Sequence, residues 1–309
     1  MRPRAAQRMI ILVGPTGVGK SDVGFHLARL AGGEIVSADS RLLYRGMDIG
    51  TAKPPHAMRD EVPHHFIDVL DPDKEYTCKM FEVEGRRTVT DILDRGRVPT
   101  VVGGTGLYVR ALTEGIFEGP AKDEDLRARL RVEAESIGKR ALWDRLASVD
   151  PEKARGIDAG NLVRVIRALE VCELTGRRMS ELEKEAIPFD IPFVKLGLVR
   201  SREELYGIID RRVEAMLGAG LVDEVKALMQ RGYGGAAAVR DSLGYQEILR
   251  FLEGGITYEK TVRLIKRNTR RFAKRQLTWF RKDKEITWVD ITGRSDSARI
   301  AQELLARLS

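Results

Sequence analysis

The sequence predicts an α/β fold: a parallel sheet flanked by helices and interrupted once by a helical insertion. Three observations predict it. The apolar run Met9-Ile10-Ile11-Leu12-Val13 leads directly into Gly14-Pro15-Thr16-Gly17-Val18-Gly19-Lys20-Ser21, which matches GxxxxGK[ST]. Short apolar runs then alternate with helical periodicity, as in parallel α/β proteins. Between Glu118 and Pro192 the strand signal disappears, and it resumes at Phe193-Val194-Lys195-Leu196-Gly197-Leu198-Val199, as if a sheet had been interrupted.

Taken in order, Met9 to Val13 is the first strand and the glycine loop follows it. Such a loop curls so that successive N–H groups point at phosphate oxygens; Lys20 adds a positive charge and Ser21 offers a hydroxyl to a magnesium ion. Lys20 to Ala31 reads as a helix with Val23, Leu27 and Leu30 on one face, ended by Gly32-Gly33. Glu34 to Ser37 is a short strand, and Asp39 and Ser40 at its carboxyl end belong beside the phosphate loop. Leu42 to Pro55 reads as an ordered surface loop and Phe66 to Val69 as a third strand. A helix from about Thr77 to Arg95 precedes the strand Val98 to Val102, which ends in Gly103-Gly104-Thr105-Gly106. Two glycine turns after two strands suggest two loops converging on one ligand.

Within the insertion, Asp123 to Ala147 and Asn161 to Leu174 carry helical periodicity. After the returning strand come helices at Arg202 to Leu217, Leu221 to Arg231 and Ser242 to Leu252. A long basic helix follows, then a last strand at Ile286 to Val289 and a closing helix from Ser295 to Leu308.

Composition excludes several classes. A 309-residue chain that is 43% hydrophobic is not bulk disorder, and no apolar run approaches the ~20 residues of a membrane span. The basic start, Met1 to Arg8, is followed by too few apolar residues for a secretory signal, so a cytoplasmic protein is expected. Cys78 and Cys172 are in no metal-ligand or redox spacing and read as reduced thiols, while His64-His65 reads as structural. Of the net +7, the segment from Arg263 to Lys284 supplies +9, with ten Lys/Arg against Asp283, and the remainder is slightly acidic. Charge runs are usually solvated faces. This one has almost no local pairing, carries Arg270 and Lys274 at helical spacing, and interleaves Phe272, Trp279 and Phe280, a pattern suited to nucleic acid. Arg164 and Arg167 share a helix face in the insertion: either a pair bridged to acids such as Glu170 or a second nucleic-acid surface. Asp39 reads equally as a general base, a magnesium ligand or a turn cap.

Seven blocks, in order along nearly the whole chain, resemble the tRNA dimethylallyltransferases, also called tRNA isopentenyltransferases: GPTGVGKS at 14–21, SADSRLLYRGMDIGTAKP at 37–54, VGGTGLYVRAL at 102–112, RVIRALEV at 164–171, MLGAGLVDEV at 216–225, SLGYQEI at 242–248 and RRFAKRQLTWFR at 270–281. The resemblance implies a P-loop nucleoside-triphosphate-hydrolase-like parallel sheet core (1–118 and 193–309) with a helical insertion domain (119–192) that grips the anticodon stem-loop of tRNA. It implies transfer of a dimethylallyl group from dimethylallyl diphosphate to the exocyclic amine of the adenine 3′-adjacent to the anticodon.

By the same resemblance Asp39 is the base. Gly14, Pro15, Thr16, Gly17, Val18, Gly19, Lys20 and Ser21 hold the diphosphate, Ser21 through magnesium, with Thr105 and Arg212 assisting catalysis. Asp39, Ser40, Arg41, Leu42 and Thr105 line the tRNA side, with Arg127 and the segment Val163, Arg164, Val165, Ile166 and Arg167 contacting tRNA from the insertion. Leu42 and Leu43 depart from the glutamine followed by valine or isoleucine of many members, and Asp158-Ala159-Gly160-Asn161 replaces a more usual Asn-Asp-containing turn. A monomer is expected, with tRNA and dimethylallyl diphosphate as partners and no membrane. Two other readings share parts of the pattern: a P-loop nucleoside or nucleotide kinase, and a non-catalytic RNA-binding protein with a relict loop.

Overall fold

The computed structural model describes residues 8–308; the basic start at residues 1–7 lies outside them. The chain divides into two compact units, Met1–Leu112 with Asp190–Ser309, and Thr113–Phe189. These boundaries fall a few residues before the expected 118 and 192.

The first part of the chain forms β1 (Met9–Val13), α1 (Lys20–Ala31), β2 (Glu34–Ser37), α2 (His56–Glu61), β3 (His64–His65), α3 (Cys78–Asp94), β4 (Pro99–Gly103) and α4 (Gly106–Glu114). Helices α5 (Glu124–Ile137), α6 (Lys139–Val149), α7 (Pro151–Arg155), α8 (Leu162–Thr175) and α9 (Met179–Glu183) follow. The chain closes with β5 (Phe193–Val199), α10 (Arg202–Gly218), α11 (Leu221–Gln230), α12 (Ala237–Arg240), α13 (Tyr245–Leu252), α14 (Tyr258–Phe280), β6 (Ile286–Asp290) and α15 (Ser297–Ala306).

The sheet has the order β3-β2-β4-β1-β5-β6, and every pairing in it is parallel. A parallel sheet is covered on both faces, which is why β1 is a continuous apolar run with every residue buried. Val13 lies opposite Gly103 of β4, and Ser37 of β2 opposite Val102. The chain therefore leaves β1, β2 and β4 at one edge, and the phosphate loop, Asp39 and Thr105 start out as neighbours. Leu12, Val23, Leu27, Leu205, Ile209, Ala273 and Leu304 share one core cluster, so α1, α10, α14 and α15 are held by the same packing. Each of the leucine, valine and isoleucine side chains among them contributes ~1.5–3 kcal/mol when fully buried.

Three readings of the sequence change. Leu30 is exposed, and α1 buries Val23, Phe25 and Leu27 instead. The third strand is His64–His65, because Phe66 and Asp68 have φ of 65° and 56° and turn the chain away. Asp68 is held by Lys53 and by Arg59 at 2.8 Å, while its N–H donates to the Leu42 carbonyl at 3.1 Å. The loop after Asp39 is less superficial than expected, since Leu43 and Met47 are fully buried.

The second unit is all helical. Leu126, Leu130, Leu142, Leu146, Val165, Ile166 and Leu169 form its core. The periodicity from Asp123 is broken at Gly138, whose φ of 91° separates α5 from α6. Glu170 is fully buried and accepts from Arg127 Nε at 2.7 Å, Arg167 Nη1 at 2.6 Å and the Asp123 N–H at 2.9 Å. Burial alone would raise the pKa of this carboxyl; the bonds from Arg127 and Arg167 outweigh it and hold the pKa down at about 2.

Candidate active site

Gly19, at φ 100°, is the left-handed residue that turns the phosphate loop into α1, and Lys20 is the first residue of that helix. Lys20 Nζ donates to the Pro15 carbonyl at 2.8 Å. Burial lowers its pKa to about 8, against the pull of the Asp39 charge and with a further push from Arg212. Behind the loop, Arg200 Nε donates to the Val18 carbonyl at 3.1 Å. The same guanidinium reaches Glu204 at 2.6 Å and the carbonyls of Ile291 and Arg294 at 2.9 and 2.7 Å, so the loop is backed by a fixed cation.

The two carboxyl-end turns beside it are tied together through backbone and side chains. The Arg41 N–H donates to Asp39 Oδ1 at 2.9 Å, the Ser40 N–H to Thr105 Oγ1 at 3.1 Å, and the Thr105 N–H to the Ala38 carbonyl at 3.1 Å. Gly103 permits this approach, because a Cβ there would stand 2.1 Å from the Ala38 oxygen. Sequence reading expects the two glycine turns to converge, with Asp39 beside the first; the structure supplies the bond between the Ser40 and Thr105 turns.

Arg212 reaches the site from α10. Its Nη2 donates to the Thr51 carbonyl at 3.3 Å, and burial lowers its pKa against the charges of Asp39 and Asp22. The loop carrying Thr51 is held in turn by Glu224, whose carboxylate accepts the N–H groups of Asp48, Ile49 and Gly50 at 2.9, 2.7 and 3.2 Å and the Tyr245 hydroxyl at 2.6 Å. This clasp is not deducible from spacing, since Glu224 reads as one of several acids on an amphipathic helix.

Thr16 of the loop, Asp39, Thr105 and Arg212 line a cavity of about 500 Å³ in the first unit. Its lining is polar at these four residues and apolar at Val213, Met216, Ile265, Phe272 and Trp279. Met216, in the MLGAGLVDEV block, is thus a cavity residue. Gln276 of α14 also lines it and spans the two glycine turns. Its presence on the buried face with Ala273 and Phe280 was the available signal, because a buried amide requires partners.

The remaining candidates divide by environment. Leu42, expected by resemblance on the tRNA side, is 8% exposed. Val165 and Ile166, expected by resemblance to contact tRNA, have their side chains buried in the core of the helical unit. Arg127 and Arg167 both pair with Glu170, which for Arg167 is the structural alternative of the two that its sequence position allows. Val163, 80% exposed, and Arg164 remain on the surface of α8. Arg270 pairs with Asp210 at 2.7 Å, whereas Lys274 is exposed. His64 Nδ1 meets the Val62 carbonyl and His65 Nε2 meets Glu34, each at 2.7 Å, which are structural roles. Among the described residues no three His, Cys, Asp or Glu side chains are grouped to hold a metal, and no helix is long and apolar enough to cross a membrane.

Residues 42–283 match the family model described as IPP transferase. The tRNA dimethylallyltransferase of Pelotomaculum thermopropionicum is 46% identical over 96% of this chain and 95% of its own length, and that of Thermotoga petrophila 48% over 92% and 93%. The full-length tRNA isopentenylpyrophosphate transferase of Bacillus halodurans superposes with a TM-score of 0.72 at 40% identity, covering 98% of this chain and 97% of that one. A eukaryotic dimethylallyltransferase acting on tRNA superposes with a TM-score of 0.79 at 28% identity, covering 97% of this chain and 80% of that one. With the match spanning most of the chain and including the Thr105 turn, Arg212 and the basic helix, the chain belongs to the IPP transferase family.

Proposed function

We propose that this protein transfers a dimethylallyl group from dimethylallyl diphosphate to the exocyclic amine of the adenine 3′-adjacent to the anticodon in tRNA, releasing diphosphate. The observation that carries the reading is that Asp39 lines the same cavity as Thr16, Thr105 and Arg212. A carboxylate and part of an anion cradle lining one cavity suit a displacement in which a proton is removed from the nucleophile while negative charge leaves with the leaving group.

The adenine amine is a poor nucleophile because its lone pair is delocalised into the ring. Asp39 takes its proton as the nitrogen–carbon bond forms at the allylic carbon, and the carbon–oxygen bond breaks with its electron pair going to diphosphate. A positioned base contributes ~10²–10⁴-fold. The bond from the Arg41 N–H to Oδ1 fixes the carboxylate rotamer. Lys20, Arg212 and the loop amides meet the developing charge of the leaving group, and their placement before reaction is what makes them effective. The adenine reaches the site by leaving its stack, at a cost of ~a few kcal/mol offset by RNA contacts.

The residues present fit a magnesium ion brought in with the diphosphate. Such an ion keeps several waters and takes only one or two protein oxygens, so a cage of carboxylates is not needed. Ser21, exposed in the first turn of α1, is the hydroxyl we assign to it, and the ion would help neutralise the leaving group when bound. For RNA we assign the exposed cations of α14 and the surface of α8 at Val163 and Arg164. The protein acts as a monomer in the cytoplasm in this reading.

The test is to incubate the protein with an anticodon stem-loop RNA and either dimethylallyl diphosphate or ATP, and to weigh the RNA. Gain of one C5H8 unit dependent on the prenyl donor is expected. Binding of the RNA without mass gain would sink the transfer reading, and a phosphate gain from ATP would replace it with a kinase.

A further inference from the structure

Gln276 joins the two halves of the site. Its Oε1 accepts the N–H of Thr16 in the phosphate loop at 2.8 Å, and its Nε2 donates to the carbonyl of Gly104 in the second glycine turn at 2.9 Å. The two partners lie on the loops after β1 and β4, and the amide comes from α14, so three elements distant in sequence meet in one side chain. The residue is 7% exposed. Gly104 is shaped around it: a Cβ there would stand 2.3 Å from Nε2.

We propose that Gln276 is a positioning residue for the transfer step, setting the separation between the loop that holds the diphosphate and the turn that carries Thr105. The inference rests on the prenyl-transfer reading. Its physical basis is the sharp dependence of displacement on geometry. The leaving group is fixed by the loop at Thr16, while the nucleophile side is fixed through Thr105, which accepts the Ser40 N–H beside Asp39. Backbone pairing joins β1 to β4 only as far as the pair Val13 and Gly103. Beyond that pair, Gln276 spans the two turns. An amide suits this position because it donates and accepts at once with no charge of its own beside an anion site. Leucine supplies neither function and glutamate only the acceptor.

The experiment compares wild type with Gln276→Leu and Gln276→Glu in single-turnover transfer to a stem-loop RNA, alongside RNA affinity, donor affinity and melting temperature. Both variants are expected to lose about 10- to 100-fold in the transfer rate, the range a displacement of ~1 Å can cause, while RNA affinity changes less than about threefold. The Thr16 amide should also lose hydrogen-exchange protection in Gln276→Leu and keep more of it in Gln276→Glu, which retains the acceptor. Should Gln276→Leu fail to fold, Gln276→Glu carries the test through the same rate and exchange measurements. A folded variant that transfers at the wild-type rate overturns the inference, as does a loss confined to RNA affinity or melting temperature. If wild type itself transfers no prenyl group, it is the functional reading that fails, and the two failures are thereby distinct.

Discussion

Ser40 and Thr105, on turns 65 residues apart in the chain, are joined by a bond from the Ser40 N–H to the Thr105 hydroxyl oxygen at 3.1 Å. This bond ties the turn carrying Asp39 to the one after β4, so in the proposed reaction Thr105 would act on the base side as well as facing the cavity. Thr105→Val keeps the shape and removes the acceptor, and should lower the transfer rate ~10- to 100-fold through misplacement of the Asp39 turn. Thr105→Ser should retain most of the rate. Equal rates for the two variants in a single-turnover assay would remove the role assigned to the hydroxyl.

Asp39→Asn tests the base without unfolding its turn, since an asparagine carbonyl still accepts the Arg41 N–H. Turnover should fall ~10²–10⁴-fold while RNA affinity stays near wild type. Persistence of turnover in this variant would place the base elsewhere.

The elements built on local pattern were legible from sequence. The phosphate loop, strand β5 from Phe193 to Val199 and the helical character of the insertion follow from glycine spacing, apolar runs and 3.6-residue periodicity. What was not legible depends on contacts between distant residues. Gln276 sits among cations in RRFAKRQLTWFR, where charge dominates the reading, and its importance lies in partners at positions 16 and 104. Glu224 likewise acts on a loop 174 residues or more away in the chain. Phe66 and Asp68 mislead because a short, largely apolar run looks like a strand when the left-handed backbone at both residues is unseen.

The basic helix α14 should separate into cations that hold the fold and cations that meet RNA. Arg270 is paired with Asp210, whereas Arg271 and Lys274 are exposed. Replacing Arg271 and Lys274 by glutamine should weaken RNA binding and reduce the slope of log affinity against log salt by ~0.7–0.9 for each phosphate that is no longer neutralised. Arg270→Gln should instead lower the melting temperature by leaving Asp210 without this partner. A salt slope unchanged in the double variant would move the RNA surface away from this part of α14.

In the helical unit, Glu170 makes an acid-labile contribution to stability. Its folded pKa of about 2 lies below the ordinary glutamate value of 4.5. The unfolded chain therefore binds the proton more readily between these values, and the stabilisation is full above about 4.5 and lost as pH falls toward 2. Glu170→Gln should remove that acid dependence and destabilise at neutral pH, because Arg127 and Arg167 would be left against a neutral amide. The expected cost is ~3–5 kcal/mol, the range for breaking a buried pair. Denaturant melts at pH 7 and pH 3 measure both effects, and an acid profile unchanged by the substitution would shift the titration to another group.

If Lys20 meets the diphosphate as proposed, function and stability pull in opposite directions at this residue. Its folded pKa of about 8 lies below the ordinary lysine value of 10.5, chiefly because the ammonium is buried. Between about 8 and 10.5 the unfolded chain holds more proton, so this residue makes stability rise with pH across that window. Below about 8 the cost of the buried charge is fully present. Lys20→Met removes the buried charge and should raise the melting temperature at pH 7, by ~2–4 °C for each kcal/mol relieved, while weakening donor binding. In wild type, donor affinity should be level below about pH 8 and fall as the ammonium deprotonates above it, with proton uptake on binding in that range. Calorimetric titrations in buffers of different ionisation enthalpy read the uptake directly. Affinity independent of pH from ~7 to ~9.5, with no proton taken up, would mean that Lys20 is not the cation meeting the diphosphate.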